Sequence, residues 1–111
     1  MLNIDLDVES EGTSTLVRLR GDLDIQVVEH VTQRLLELEA TGPELLVLEV
    51  SGLSFVDSAG MAALAAAHMR ARDAARRFVV VNPPYGVRRA FEVSALDEVI
   101  TVEKDLDAVY P

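Results

Sequence analysis

The run Leu53-Ser54-Phe55-Val56-Asp57-Ser58-Ala59-Gly60-Met61 holds the side chains best placed for chemistry in this chain. An aspartate and a serine stand together where an apolar run gives way to an alanine-rich segment. That pattern predicts the end of a buried strand, a tight loop and a helix start. A hydroxyl at a helix start has two uses. It caps the helix by accepting a backbone N–H, or it carries a phosphate that the first-turn N–H groups stabilise. The residues alone leave both uses open. A phosphate on Ser58 would add a charge of about −1.5 to −2 beside the Asp57 carboxylate, enough to expel a partner docked over the turn.

Other chemistries have less to stand on. His30 and His68 are the only histidines, and neither has a second histidine or a carboxylate at ligand spacing, so no metal site is expected. A Ser–His–acid arrangement using Ser58 would lack the Gly-x-Ser-x-Gly elbow. The glycines are scattered singly and form no phosphate-binding loop. Without cysteine there is no thiolate zinc site, iron–sulfur cluster, disulfide or thiol catalysis, which fits a reducing cytoplasm. The expectation is therefore a binding protein without a cofactor, not an enzyme. Arg70, Arg72, Arg76 and Arg77 cluster near the end of a helix, with Arg88 and Arg89 further on. Cations there complement the helix dipole; an anion or partner site is the second reading.

Charge narrows the partner. The net charge is −9, and residues 1–69 carry all of it, whereas residues 70–111 are balanced. An acidic half repels nucleic acid and favours a basic protein surface. No run approaches the ~18 apolar residues of a membrane helix. The acid-and-aliphatic start does not resemble a signal peptide.

The elements that must position the Asp57-Ser58 pair follow from the pattern. Ile4, Leu6 and Val8 alternate with acids, giving a half-buried strand. A turn at Gly12-Thr13 leads to a second strand through Leu16, Val17 and Leu19, ended by Gly21-Asp22, so the two form a hairpin. Asp24 is placed to cap an amphipathic helix carrying Val28, Val31, Leu35 and Leu38, which stops at Thr41-Gly42-Pro43. Leu45–Leu48 and Phe78–Val81 read as strands covered on both faces. Between them lies the alanine-rich helix over 59–76. A short helix runs from Pro84 to about Val93, Val99–Val102 forms the last strand, and a helical turn closes 105–110. The order β-β-α-β-α-β-α-β-α predicts one α/β domain over residues 1–111, with a mixed sheet that opens on a hairpin.

The loop Leu53–Gly60 closely resembles the phosphorylation loop of bacterial anti-sigma factor antagonists, which have the STAS fold. Leu19-Arg20-Gly21-Asp22-Leu23-Asp24 resembles the Gly-Glu-Leu-Asp turn of that family. Pro84-Tyr85-Gly86-Val87-Arg88-Arg89-Ala90-Phe91-Glu92-Val93-Ser94-Ala95-Leu96 resembles its late helix, in which Ala95 replaces a usual glycine; Ala59 replaces a frequent second serine. The resemblance implies a cytoplasmic protein whose unphosphorylated form binds an anti-sigma factor that is also a serine/threonine kinase, releasing a sigma factor. Phosphorylation of Ser58 breaks the complex, and a phosphoserine phosphatase restores it. It implies contact roles for Asp22, Asp24, Leu53, Phe55, Asp57, Ala59, Gly60 and Met61, and no membrane or nucleic-acid partner. The alternative is a STAS scaffold or subunit of another signalling or transport complex, in which Ser58 mainly caps its helix.

Overall fold

The computed structural model describes residues 2–110. The alternating start forms β1 (Ile4–Glu11), which turns at Gly12-Thr13 and pairs antiparallel with β2 (Ser14–Leu23). Then follow α1 (Val28–Glu39), β3 (Leu45–Val56), α2 (Ser58–Asp73), β4 (Arg77–Val81), α3 (Tyr85–Val93) and β5 (Thr101–Glu103). The sheet order is β1-β2-β3-β4-β5, and every pairing after the hairpin is parallel. This is the expected mixed α/β sheet. Its final helical element is a single 3-10 turn, Leu106–Ala108.

All three helices pack on one face of the sheet. Val31 and Leu35 of α1, Leu64 and Ala67 of α2, and Phe91 of α3 join Val17, Leu19, Leu46, Leu48 and Val80 in one buried cluster. On the opposite face Leu16, Val47, Val79 and Val81 are covered by Val109 and Leu106 of the C-terminal turn. The Tyr110 hydroxyl fastens that turn to Ser14 Oγ at 2.7 Å. Burial on both faces is why the middle strands read as unbroken apolar runs.

α1 and α2 are tied where their C-terminal ends meet. Arg70 donates from Nε and Nη2 to the two Glu39 carboxylate oxygens at 2.7 and 2.9 Å. Arg76 donates to the backbone carbonyls of Pro43 and Glu39 at 3.0 and 3.1 Å. The hydrogen bond to Glu39 raises the Arg70 pKa above its already high ordinary value, outweighing burial, which acts the other way.

Three local expectations are corrected. β2 does not stop at Gly21-Asp22 but runs on to Leu23. Gly21 adopts φ +113 and sits so close to the Asn3 carbonyl that any Cβ would collide with it, so this glycine serves strand contact rather than a turn. Asp24 does not cap α1, whose N-cap Val27 has no side-chain bond. Its carboxylate accepts the Gln26 N–H at 3.0 Å, shaping a turn ahead of the helix. The last strand starts at Thr101 because Val99 and Ile100 donate their N–H groups to the Leu96 carbonyl, at 3.1 and 2.8 Å, finishing a 3-10 turn.

Candidate functional site

β3 carries two residues more than its pairing with β2 requires. Arg18 faces Glu49 but Arg20 faces Gly52; Gly21 faces Leu53 but Asp22 faces Phe55. Each step is a bulge that breaks the two-residue alternation. Leu53 and Val56 therefore stay in the core while Ser54 and Phe55 both turn outward, leaving Phe55 52% exposed. The chain reaches the next loop with an aromatic ring held up beside it.

Asp57 organises that loop. Its Oδ1 accepts the Gly60 N–H at 2.8 Å, making Asp57 the N-cap of α2, and its Oδ2 accepts the Ile25 N–H at 3.0 Å. Its own N–H donates to the Leu23 carbonyl at 3.2 Å. One carboxylate thus closes the start of α2 and holds the β2–α1 loop against it. Ser58 is the first helical residue, is exposed, and makes no side-chain hydrogen bond among the described residues. Of the two uses open to Ser58, the capping role belongs instead to Asp57, because the extended backbone at residue 57 aims that side chain back over the first turn. The N–H groups of Ser58 and Ala59 have no acceptor among the described residues.

The predicted site residues separate into two layers. Asp22, Asp24, Phe55, Asp57 and Ser58 gather at one end of the sheet: Asp22 lies opposite Phe55, and Asp24 joins the Asp57 loop through Ile25. The Asp22 carboxylate also accepts from Asn3 Nδ2 at 2.6 Å. Leu53, Gly60 and Met61 are buried beneath this surface and shape it from below; Ala59 is half-buried. Gly60 leaves no open space at the start of α2: a Cβ there would strike the Leu23 carbonyl, and would lie 2.8 Å from Val56 Cγ2 and 2.9 Å from Leu23 Cγ. Its smallness lets α2 start against the end of β2.

Beside Ser58 a largely apolar groove of about 450 Å³ runs between α2 and α3, lined by Ser58, Met61, Ala65, Ala90, Val93 and Leu96. Sequence reasoning missed two exposed apolar residues of this end, Ile25 (69% exposed) and Val93 (78% exposed). Both left a signal: Ile25 is apolar inside a polar turn, and Val93 falls off the Val87–Phe91 stripe of α3. His68 lies near the other end of α2, about 15 Å along the helix from Ser58 by the rise per residue. The described residues contain no group of three side chains able to hold a metal ion, and no helix long and apolar enough to cross a membrane.

A model of the STAS domain matches residues 5–109. The chain belongs to the STAS domain family. Among solved structures, this STAS domain superposes on an anti-sigma factor antagonist from Mycobacterium paratuberculosis with a TM-score of 0.86, at 26% identity over 95% of this chain and 89% of that one. The anti-sigma factor antagonist SpoIIAA in its unphosphorylated form matches with a TM-score of 0.79, at 23% identity over 95% and 93% of the two chains. The phosphorylated form of SpoIIAA, a Bacillus cell fate determinant, matches with a TM-score of 0.73, at 22% identity over 95% and 96%. In this STAS domain Ala95 holds φ +60 and ψ 18, the left-handed region where glycine carries no Cβ penalty. The backbone thus shows why a glycine is expected at that place.

Proposed function

We propose that this STAS domain is a cytoplasmic anti-sigma factor antagonist switched by phosphorylation of Ser58. In the unphosphorylated form it binds an anti-sigma factor that is also a serine/threonine kinase, using the end of the sheet formed by Asp22, Asp24, Phe55, Asp57 and Ser58, and so releases a sigma factor. The kinase transfers the γ-phosphoryl group of ATP to Ser58 Oγ, the hydroxyl loses its proton, and the complex separates. A phosphoserine phosphatase reverses the step. The domain binds and is modified; it performs no catalysis of its own and needs no cofactor.

The observation that carries this reading is the division between Asp57 and Ser58. Because Asp57 takes the cap, the Ser58 hydroxyl is exposed and uncommitted, so a kinase reaches it without unfolding the helix start. The unfilled N–H groups of Ser58 and Ala59 offer a phosphate partial compensation at the positive end of α2. The bound partner instead meets a dianion next to the Asp57 carboxylate, and a buried unpaired charge costs several kcal/mol, or orders of magnitude in affinity.

The test uses the anti-sigma factor kinase captured from the native cell. Incubation with it and ATP is expected to add one phosphate, mapped to Ser58 by mass spectrometry. Phosphate on Ser54 alone would refute the assignment. In calorimetry Ser58→Ala is expected to keep kinase binding and Ser58→Glu to weaken it by about tenfold or more. Equal binding by the two variants would refute exclusion by charge.

A further inference from the structure

We infer that the cavity at the C-terminal end of α2 is a binding site for a small phosphomonoester. It has a volume of about 210 Å³ and is lined by His68, Arg72, Arg76, Arg77 and Thr101 over an apolar floor that includes Phe78. Among the described residues no carboxylate lines it, although the chain carries a net charge of −9. Three arginines line one small space, and an anion held among them relieves the repulsion between their guanidinium charges.

Structural duties account for only part of this cluster. Three of the last four carbonyls of α2 are already satisfied by backbone: Arg70 O accepts from the Ala74 N–H at 3.0 Å, Ala71 O from the Arg76 N–H at 2.8 Å, and Arg72 O from the Ala75 N–H at 3.2 Å. No cation is needed to cap these three. Arg76 is held by the carbonyls of Pro43 and Glu39 through Nε and Nη2, which fixes its guanidinium and leaves Nη1 free of protein acceptors among the described residues. Arg72, Arg77 and His68 make no side-chain hydrogen bond or ion pair among the described residues. Every other arginine outside this cavity except Arg88 is paired with an acid.

The chemistry of the lining selects the ligand class. Guanidinium forks match the oxygens of phosphate two at a time, and three of them exceed what a single carboxylate neutralises. The acidic field of the rest of the domain disfavours an extended polyanion, which would reach beyond the cavity. Phe78 and Ala71, both on the helix face of the sheet, give an organic body somewhere to lie.

The test is a titration of the isotope-labelled domain at constant ionic strength, followed by amide NMR, with inorganic phosphate and with phenyl phosphate. Saturable shifts are expected at His68, Arg72, Arg76, Arg77 and Thr101, and phenyl phosphate is expected to bind more tightly than the inorganic ion. The Arg72→Gln/Arg77→Gln variant is expected to weaken both by about tenfold or more. Arg72→Lys, which keeps the charge but loses the fork, shifts affinity in the same direction by less. Arg88→Gln/Arg89→Gln on α3 is expected to leave binding unchanged. Shifts that never saturate, or equal weakening by the two double variants, would overturn the site. Equal affinity for the two probes would overturn the role of the apolar floor and leave a site for the phosphoryl group alone.

Discussion

The two ends of α2 carry opposite charge and share a division of labour. At the N-terminal end Asp57 takes two backbone N–H groups and frees the Ser58 hydroxyl beside it. At the C-terminal end Arg70 and Arg76 bind α1 to α2, and Arg72 and Arg77 are left uncommitted. The ends differ in how the anchor works. Asp57 joins two loops through their backbones, so the geometry around Ser58 is fixed on both sides. Arg70 meets a side chain, and Arg72 and Arg77 beside it make no side-chain bond among the described residues. A fixed neutral hydroxyl in acidic surroundings suits a site where charge is added by an enzyme. Uncommitted cations around a cavity suit capture of charge already present on a ligand.

Mutations at the two ends test that contrast, beginning with the largest effect. Gly60→Val is expected to cost about 3 kcal/mol in urea unfolding, since even its Cβ overlaps the end of β2. A loss under about 1 kcal/mol would mean that the start of α2 slides freely, and the N-terminal end would not be the fixed one. Arg70→Ala is expected to cost about 2 kcal/mol, because Glu39, with its side chain only 9% exposed, loses both bonds; the value is set below that of a fully buried pair because Arg70 is 29% exposed. Arg72→Ala, one turn edge away and unpaired, should stay within about 0.5 kcal/mol of wild type in the same unfolding measurement. Asp57→Ala is expected to cost about 1 to 2 kcal/mol, with Ser58→Ala again within about 0.5 kcal/mol. Equal losses at Asp57 and Ser58 would show that the two share the cap and would remove the reason why Ser58 is available.

The element order was legible because each element left a local mark. Acids alternate with aliphatics in β1, alanines fill α2, and Gly42-Pro43 and Asn82-Pro83-Pro84 punctuate the chain. The site was legible as a location and not as an assignment of roles. Asp57 and Ser58 are both good caps by type. What decides between them is the Ile25 N–H, which arrives from a loop over thirty residues away, and the extended backbone at Asp57. Asp24 failed as a helix cap for the mirror reason: its carboxylate found the Gln26 N–H first. Gly60 reads as open space until Leu23 is placed behind it. The arginines looked alike in sequence, and only the folded positions of Glu39 and Pro43 separate those that brace the fold from those that do not.

The bulges of β3 have a consequence for how this domain can diversify. In a strand of strict alternation, the face taken by residue 55 would be dictated by residue 53, and a length change near the loop would turn core side chains outward. Here the two surplus residues absorb that dependence before the loop begins. Ser54 and Phe55 are therefore free to vary with whatever surface they meet, while Leu53 and Val56 keep the pleat. Recognition can drift through such a hinge of sequence while the architecture beneath it stays put.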